Sequence, residues 1–388
     1  MGYPIEVLAP QTPEELAEAL GDAAAHGRTI CLAGHFSKRM MAGPVEPADA
    51  AITTIGLARV LEYEPRDLTI SVEAGLPWRE LIRTISEHRQ IAPLDPPFSK
   101  SATVGGVIAA NTSGPRRRLY GTARDLVIGM KFATLEGKLA QSGGMVVKNV
   151  AGLDMAKLMI GSFGTLAAIA VVNFKLAPAP EVERSFLLAF DSLAGAIAAR
   201  DRILASALQP ASLDLLNPAC GASLGRDSWL LAVRGGGQAA AADRYERELA
   251  EMADGVAFDD SRQEALWEHL ENFTPWFLER NPDGAVARAS CTLKEVADAI
   301  ASFRGPALAR AGSGVCYGYF EDCGAAAGWL AEAVPRGWKA VIEFAPEERK
   351  RSLDLWPCPG PDFEIMRRVK GLFDPSNLLN RGRLYGRI

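Results

Sequence analysis

The sequence predicts an α+β protein built as two domains with a C-terminal segment that returns to the first. Three observations carry this. Strands and helices alternate through the opening residues, and a second strand–helix–strand series begins after the Pro178-Ala179-Pro180 break. At about 150 residues per domain, 388 residues leave room for two cores and a fraction. The expected limits are 1–178, 179–350 and 351–388.

Apolar residues at 48% and charged residues at 23% are ordinary for a globular chain, and exclude a disordered or collagen-like one. The formal charge of −5 gives no reason to expect nucleic acid or an anionic membrane as the main partner. No two of the six cysteines have metal-knuckle or cluster spacing, so no metal site is expected and free thiols in a reducing compartment are. The N-terminal residues show no basic segment ahead of an apolar run, so no signal peptide is expected. The most apolar stretch, Leu158 to Val172, is too short to span a bilayer.

Taken in order, Ile5 to Leu8 reads as a strand. Thr12 and Glu15 form a capping box with Pro13 at the first helical position, and Leu16, Ala19, Leu20 and Ala23 make the apolar stripe. Thr29 to Leu32 is a buried strand that runs into the loop Ala33-Gly34-His35-Phe36-Ser37-Lys38, which can offer backbone N–H groups to an anion. Strands are expected at Ala51 to Thr54 and Leu68 to Val72. A helix follows from Trp78 to His88, with Trp78, Leu81, Ile82 and Ile85 facing the core.

The densest signal is the small-residue run from Ser101 to Gly114. Its backbone has little side-chain cover, and Thr103, Asn111 and Ser113 set polar groups beside glycines. Two readings follow: a cradle for a flat, polar-edged ligand, or a tight helix and turn with no ligand. Arg116-Arg117-Arg118 reads as solvated surface. A second glycine-rich patch, Gly143-Gly144 with Val147 to Gly152, leads through Gly161-Ser162-Phe163-Gly164-Thr165 into a strand from Ala167 to Leu176.

Beyond the break, strands are expected at 185–190, 212–216, 229–234, 285–291, 307–311, 315–320 and 339–343. Helices are expected at 193–205, 239–252, 264–276, 293–302 and 324–334. Gly235-Gly236-Gly237 reads as a turn opening a helix, because no Lys or Ser/Thr follows it as a phosphate loop requires. Trp267, His269, Phe273 and Trp276 read as packing. Arg349-Lys350-Arg351 and Pro357-Cys358-Pro359 read as a surface linker, and a last helix spans 363–373.

Three segments carry a family resemblance: Ala102 to Gly129, including Ser113-Gly114-Pro115-Arg116-Arg117 and Arg124-Asp125; Gly143 to Leu166; and Phe373 to Leu384. With them the chain resembles the FAD-binding E subunit of bacterial glycolate oxidase, in the vanillyl-alcohol oxidase / p-cresol methylhydroxylase superfamily. The resemblance implies a PCMH-type FAD-binding domain of two α/β subdomains, followed by an α+β cap with an antiparallel sheet. It implies non-covalent FAD, since His35 precedes Phe36 rather than the serine directly. Gly34, Ser37 and Lys38 would wrap the pyrophosphate; Pro97, Thr103, Val104, Gly105, Gly106, Ala109, Ser113 and Gly114 would line the cofactor. Gly121 would bind the cofactor too, Arg124 and Asp125 would either touch it or hold the fold, and Lys148 and Asn149 would face the flavin, a partner or solvent. Arg383 and Tyr385 would approach the cofactor or a partner.

The chain departs from the family pattern where one glycine, before His35-Phe36, replaces consecutive glycines, where Leu153 replaces a tyrosine and where Arg381 replaces a proline. No catalytic residue is assignable, because the four histidines are scattered and no His–Arg pair stands out in the second half. The implied function is an FAD-binding subunit that oxidises a small 2-hydroxy acid such as glycolate to the 2-oxo acid. Its implied partners are a homologous larger FAD-binding subunit and an iron–sulfur subunit, in the cytoplasm or held at the inner membrane face by those partners. Two alternatives stay open: a structural subunit with weakened FAD binding, and a free-standing FAD-dependent oxidase.

Overall fold

The computed structural model describes residues 6–146, 153–253, 255–258 and 260–388. The chain opens with β1 (Glu6–Leu8), α1 (Pro13–Ala25), β2 (Ile30–Ala33) and β3 (Ala50–Thr53), and the strands form a parallel sheet in the order β1-β3-β2. Thr12 caps α1 by accepting the Glu15 N–H at 3.1 Å, and Leu16, Leu20 and Ala23 are buried against the sheet.

Next come β4 (Val60–Glu64), β5 (Thr69–Glu73), α2 (Trp78–Ser86), β6 (Gln90–Ile91), α3 (Val104–Ala110), α4 (Arg117–Tyr120) and α5 (Ala123–Leu126). They are followed by β7 (Val127–Ala133), β8 (Leu139–Gly143), α6 (Ala156–Met159), β9 (Ala168–Lys175) and β10 (Ala177–Pro178). Strands β4-β5-β9-β7-β8 make an antiparallel sheet, and β6 pairs with β10. Helices α2 and α3 pack on the sheet through Trp78, Leu81, Ile85, Val104, Val107 and Ile108. Ile82, expected on that face, is 37% exposed, because α2 meets the sheet along a narrower stripe.

The second half contributes β11 (Val182–Phe190), α7 (Leu193–Ala205), β12 (Ser212–Leu216), α8 (Pro218–Gly221), β13 (Trp229–Gly237), α9 (Ala239–Ala250) and β14 (Gly255–Phe258). It continues with α10 (Asp260–Glu271), α11 (Phe273–Arg280), β15 (Ala285–Ser290), α12 (Val296–Ala301), β16 (Ala307–Arg310), β17 (Val315–Phe320), α13 (Cys323–Ala333) and β18 (Lys339–Phe344). The eight strands form one antiparallel sheet in the order β14-β11-β13-β12-β16-β17-β15-β18. Helices α7, α9, α12 and α13 pack on it. The chain ends with α14 (Glu347–Lys350) and α15 (Phe363–Phe373). Among the described residues, no helix is long and apolar enough to cross a membrane.

Three sequence expectations are corrected here. Gly235, Gly236 and Gly237 lie inside β13, paired with Arg184, Glu183 and Val182. A Cβ on Gly235 would meet the Tyr245 ring at 2.7 Å, so the glycine lets α9 lie close on the sheet. The single helix expected over 264–276 breaks at Asn272, although Trp267 and Phe273 pack in the core as expected. Lys350 is not surface linker but fully buried, with Nζ donating to the carbonyls of Arg39 (2.6 Å) and Gly43 (3.1 Å).

The tail is tied to the first half. Lys370 Nζ donates to the Thr165 carbonyl at 2.8 Å and to the Asp374 carboxylate at 2.5 Å. The Asn380 side chain bonds both main-chain groups of Leu32 and the Phe163 carbonyl.

Candidate functional site

The site consists of a groove and an adjoining cavity; Ala110 and Phe163 line both. The loop after β2, the start of α3, residues 163–169, Asn380 and Arg383 form the groove. Thr103 caps α3 by accepting the Gly106 N–H at 3.2 Å. A Cβ on Gly34 would sit 2.3 Å from Thr103 Oγ1, so only glycine lets the loop approach the helix this closely.

The N–H groups of residues 34–38 donate to no acceptor among the described residues. Phe36 takes a left-handed φ of 54° inside this run, and successive N–H groups around such a residue make a concave anion nest. The bulky His35 and Phe36 are exposed, and both line the groove where the family has consecutive glycines. Lys38 also lines the groove. Its ammonium is buried without a hydrogen-bond partner among the described residues, and burial pushes its pKa down to about 7. The loop is anchored beyond Lys38: Ala42 N–H donates to the Glu343 carbonyl at 2.7 Å, and Arg383 bonds the Gly43 carbonyl.

Seven of the expected residues come together at the groove: Gly34, Ser37, Lys38, Thr103, Gly105, Gly106 and Ala109. Pro97 and Ser113 line the adjoining cavity. Val104 is buried in the apolar core, and Gly114 packs under Asp95, whose carbonyl a Cβ would meet at 2.1 Å. Gly105 serves packing as well: its Cβ would meet Ala74 at 2.7 Å, so part of the small-residue run exists to let backbone approach backbone.

Gly121, Arg124 and Asp125 lie away from the groove. Asp125 accepts the Thr122 N–H at 2.8 Å, Gly121 packs on Asp125 at φ 81°, and Arg124 donates to the Lys157 carbonyl at 3.0 Å. Their contacts are within the fold, and Gly121, expected at the cofactor, instead packs on Asp125. Lys148 and Asn149 lie outside the described residues.

The cavity, about 270 Å³, lies between the end of α3 and a polar face of the eight-stranded sheet. Side chains alternate along a strand, so Arg288 on β15 and Tyr317 and Tyr319 on β17 share that face, joined by Arg310 on β16 and Glu343 on β18. Arg288 Nε donates to Glu343 at 2.8 Å, and Arg310 is paired with the buried Asp214. Tyr385 lies beside Arg288, and burial pushes its pKa up to about 12. His269 is occupied elsewhere, bonded to Ser223 at 2.9 Å and packed on Phe273 and Trp276.

Arg116-Arg117-Arg118 is not solvated surface. Starting a helix at the junction, the three point to different walls. Arg116 pairs with Asp95 at 2.8 Å, Arg117 lines the cavity and reaches Ser113 Oγ at 3.2 Å, and Arg118 donates to the Pro210 carbonyl at 2.8 Å. Sequence reasoning also missed Arg288, Arg310 and Glu271. The available signal was a lone arginine in an otherwise small, apolar strand, in Ala285 to Ser290 and in Ala307 to Arg310.

Comparison with known proteins places this geometry. The profile of an FAD binding domain matches residues 4–143, and that of the FAD linked oxidases, C-terminal domain, matches 179–355 and 359–384. The glycolate oxidase subunit GlcD of Bacillus subtilis is 30% identical over 216 residues, 55% of this chain and 46% of that protein. The glycolate oxidase subunit GlcE of Escherichia coli is 31% identical over 173 residues, 44% of this chain and 49% of its own length. D-lactate dehydrogenase of Anaerostipes hadrus is 30% identical over 165 residues, 42% of this chain and 34% of that one. The matched stretch thus spans less than half of each of these relatives. In structure, p-cresol methylhydroxylase with substrate bound superposes with a TM-score of 0.76 at 13% identity, covering 98% of this chain and 88% of the other.

FAD fits the residues present. The unpaired N–H groups of 34–38 and the partnerless Lys38 ammonium suit a diphosphate, and Gly106 and Ala109 keep the groove wall low beside them.

Proposed function

Because the chain belongs to the FAD-linked oxidases, an oxidoreductase family with FAD as its cofactor, we propose that it oxidises a 2-hydroxy acid to the 2-oxo acid as the FAD-binding subunit of a glycolate-dehydrogenase-like complex. The observation that carries the reading is a groove, lined by Lys38 and by backbone N–H groups free among the described residues, that adjoins an arginine-lined cavity across Ala110 and Phe163. Residues 34–38 and Thr103 hold the cofactor. FAD supplies the electron acceptor for the hydrogen leaving the substrate carbon. Arg117, Arg288 and Arg310 attract and orient the substrate carboxylate, and the aromatic walls Phe163, Tyr317 and Phe344 keep bulk water away from the reacting carbon.

Relatives named as glycolate oxidase subunits support assembly with a larger homologous flavoprotein. Electrons then leave through an iron–sulfur subunit, in the cytoplasm or at the inner face of the membrane to which those partners attach. The test is to purify the chain alone and co-expressed with neighbouring reading frames. FAD per chain and anaerobic flavin bleaching by glycolate, D-lactate and D-2-hydroxyglutarate are then measured. Stoichiometric FAD and bleaching by one of these acids are expected. Full FAD loading in the assembled complex with no bleaching by any of them would refute the substrate class.

A further inference from the structure

Glu271 ends α10 at the cavity wall. It is delivered there by the break at Asn272, whose side-chain oxygen accepts the Phe98 N–H at 3.1 Å and pins the junction to the first half of the chain. The acids around it are committed. Asp95 pairs with Arg116 at 2.8 Å, Glu183 with Arg234 at 2.7 Å, Glu343 with Arg288 at 2.8 Å, and Asp214 with Arg310.

The Glu271 carboxylate has no hydrogen bond to a described residue, and its nearest paired cation, Arg234 Nη1, stands 4.0 Å away. Its side chain is 19% exposed and lines the same cavity as Arg117, Arg288 and Arg310. From this placement we propose that Glu271 is the catalytic base, taking the proton of the substrate hydroxyl. This rests on the 2-hydroxy acid reading above.

The step balances. The O–H bond breaks with its proton going to a Glu271 carboxylate oxygen, the C2–H bond breaks with the hydrogen and its electron pair passing together, as hydride, to the oxidised flavin cofactor, and the electron pair left on the hydroxyl oxygen forms the C=O bond. The surroundings tune the carboxyl for the task. Burial and the charge of Asp95 raise its proton affinity, while Arg116, Arg234 and Arg310 oppose them, and the balance pushes the pKa up to about 8. Thr274 and Tyr319, bonded to each other at 3.1 Å, border the same cavity and complete its polar wall with Tyr317.

The experiment uses FAD-loaded wild type, Glu271→Gln and Glu271→Asp. Two readouts are taken across pH: the rate of anaerobic flavin bleaching by the best 2-hydroxy acid, and the affinity for oxalate, followed by the flavin absorbance change. In the wild type, bleaching accelerates and oxalate affinity falls as pH rises through about 8, because an ionised Glu271 is a base and repels a dianion.

Glu271→Gln is expected to bleach about 100-fold more slowly or worse, to hold oxalate at least as tightly, and to lose both pH dependences. Bleaching within about fivefold of wild type, or an unchanged pH dependence of oxalate binding, overturns the assignment. If Glu271→Gln loses FAD, Glu271→Asp decides: slow bleaching with normal oxalate affinity supports the role, and wild-type speed refutes it. A wild type that binds oxalate but is bleached by no 2-hydroxy acid overturns the substrate reading, and this assignment with it. A bleaching wild type with a fast Glu271→Gln overturns this assignment alone.

Discussion

Replacing Lys38 by methionine should move stability and cofactor affinity in opposite directions. The residue is 8% exposed and its ammonium has no partner among the described residues. The drop in pKa from 10.5 to about 7 corresponds, at about 1.4 kcal/mol per pH unit, to a penalty on the order of 5 kcal/mol for burying the charged form. The folded-state value lies below the unfolded one, so the unfolded chain binds more protons between pH 7 and 10.5. Below pH 7 the penalty is therefore complete, and it is relieved as pH rises toward 10.5.

Lys38→Met keeps length and apolar bulk but removes the charge. At pH 6.5 the FAD-free variant should be more stable than wild type by about 2–4 kcal/mol, and the difference should shrink toward pH 10. Its FAD affinity should fall about 10- to 100-fold, the value of a charge-assisted bond to phosphate. Urea unfolding of the FAD-free proteins at several pH values, with flavin fluorescence quenching for affinity, measures both. A variant that is less stable at pH 6.5, or that binds FAD as wild type does, would refute the idea that the ammonium is stored unpaired for a diphosphate.

Other substitutions test neighbouring parts of the argument. Gly34→Ala places a methyl 2.3 Å from Thr103 Oγ1, so it should weaken FAD binding at least tenfold and cost about 1–3 kcal/mol in urea unfolding through overpacking and a disturbed cap. Lys350→Met strips the Arg39 and Gly43 carbonyls of a buried donor and should destabilise the protein by about 2–4 kcal/mol, seen as a lower urea midpoint. Arg117→Met should lower oxalate affinity by about tenfold or more while FAD content per chain stays at the wild-type level; unchanged oxalate binding would remove Arg117 from the carboxylate site.

Much of the framework was legible along the chain. The Thr12 cap, the helix over 193–205 and the strands at 212–216 and 315–320 follow from local rules, whereas Gly34, Thr103, Gly106 and Ala109 were placed at the groove by the family resemblance. Capping, periodicity and small-residue spacing act within one or two turns of chain. Lys350 and the arginine triplet were misread for the opposite reason. A basic run looks solvated until distant carbonyls and carboxylates, here Arg39, Gly43 and Asp95, are known to surround it.

The sequence by itself therefore determined the order of most elements and the family motifs, and marked the loop at residues 33–38 as one that can offer backbone N–H groups to an anion. Only the tertiary structure decided where the chemistry converges. Arg117, Glu271, Arg288 and Arg310 lie on four separate elements, yet line one cavity. Antiparallel pairing set the neighbouring strands in register, and the break at Asn272 turned the end of α10 toward them. Cross-strand register and the packing of one half on the other are long-range events, and no spacing along the chain encodes them.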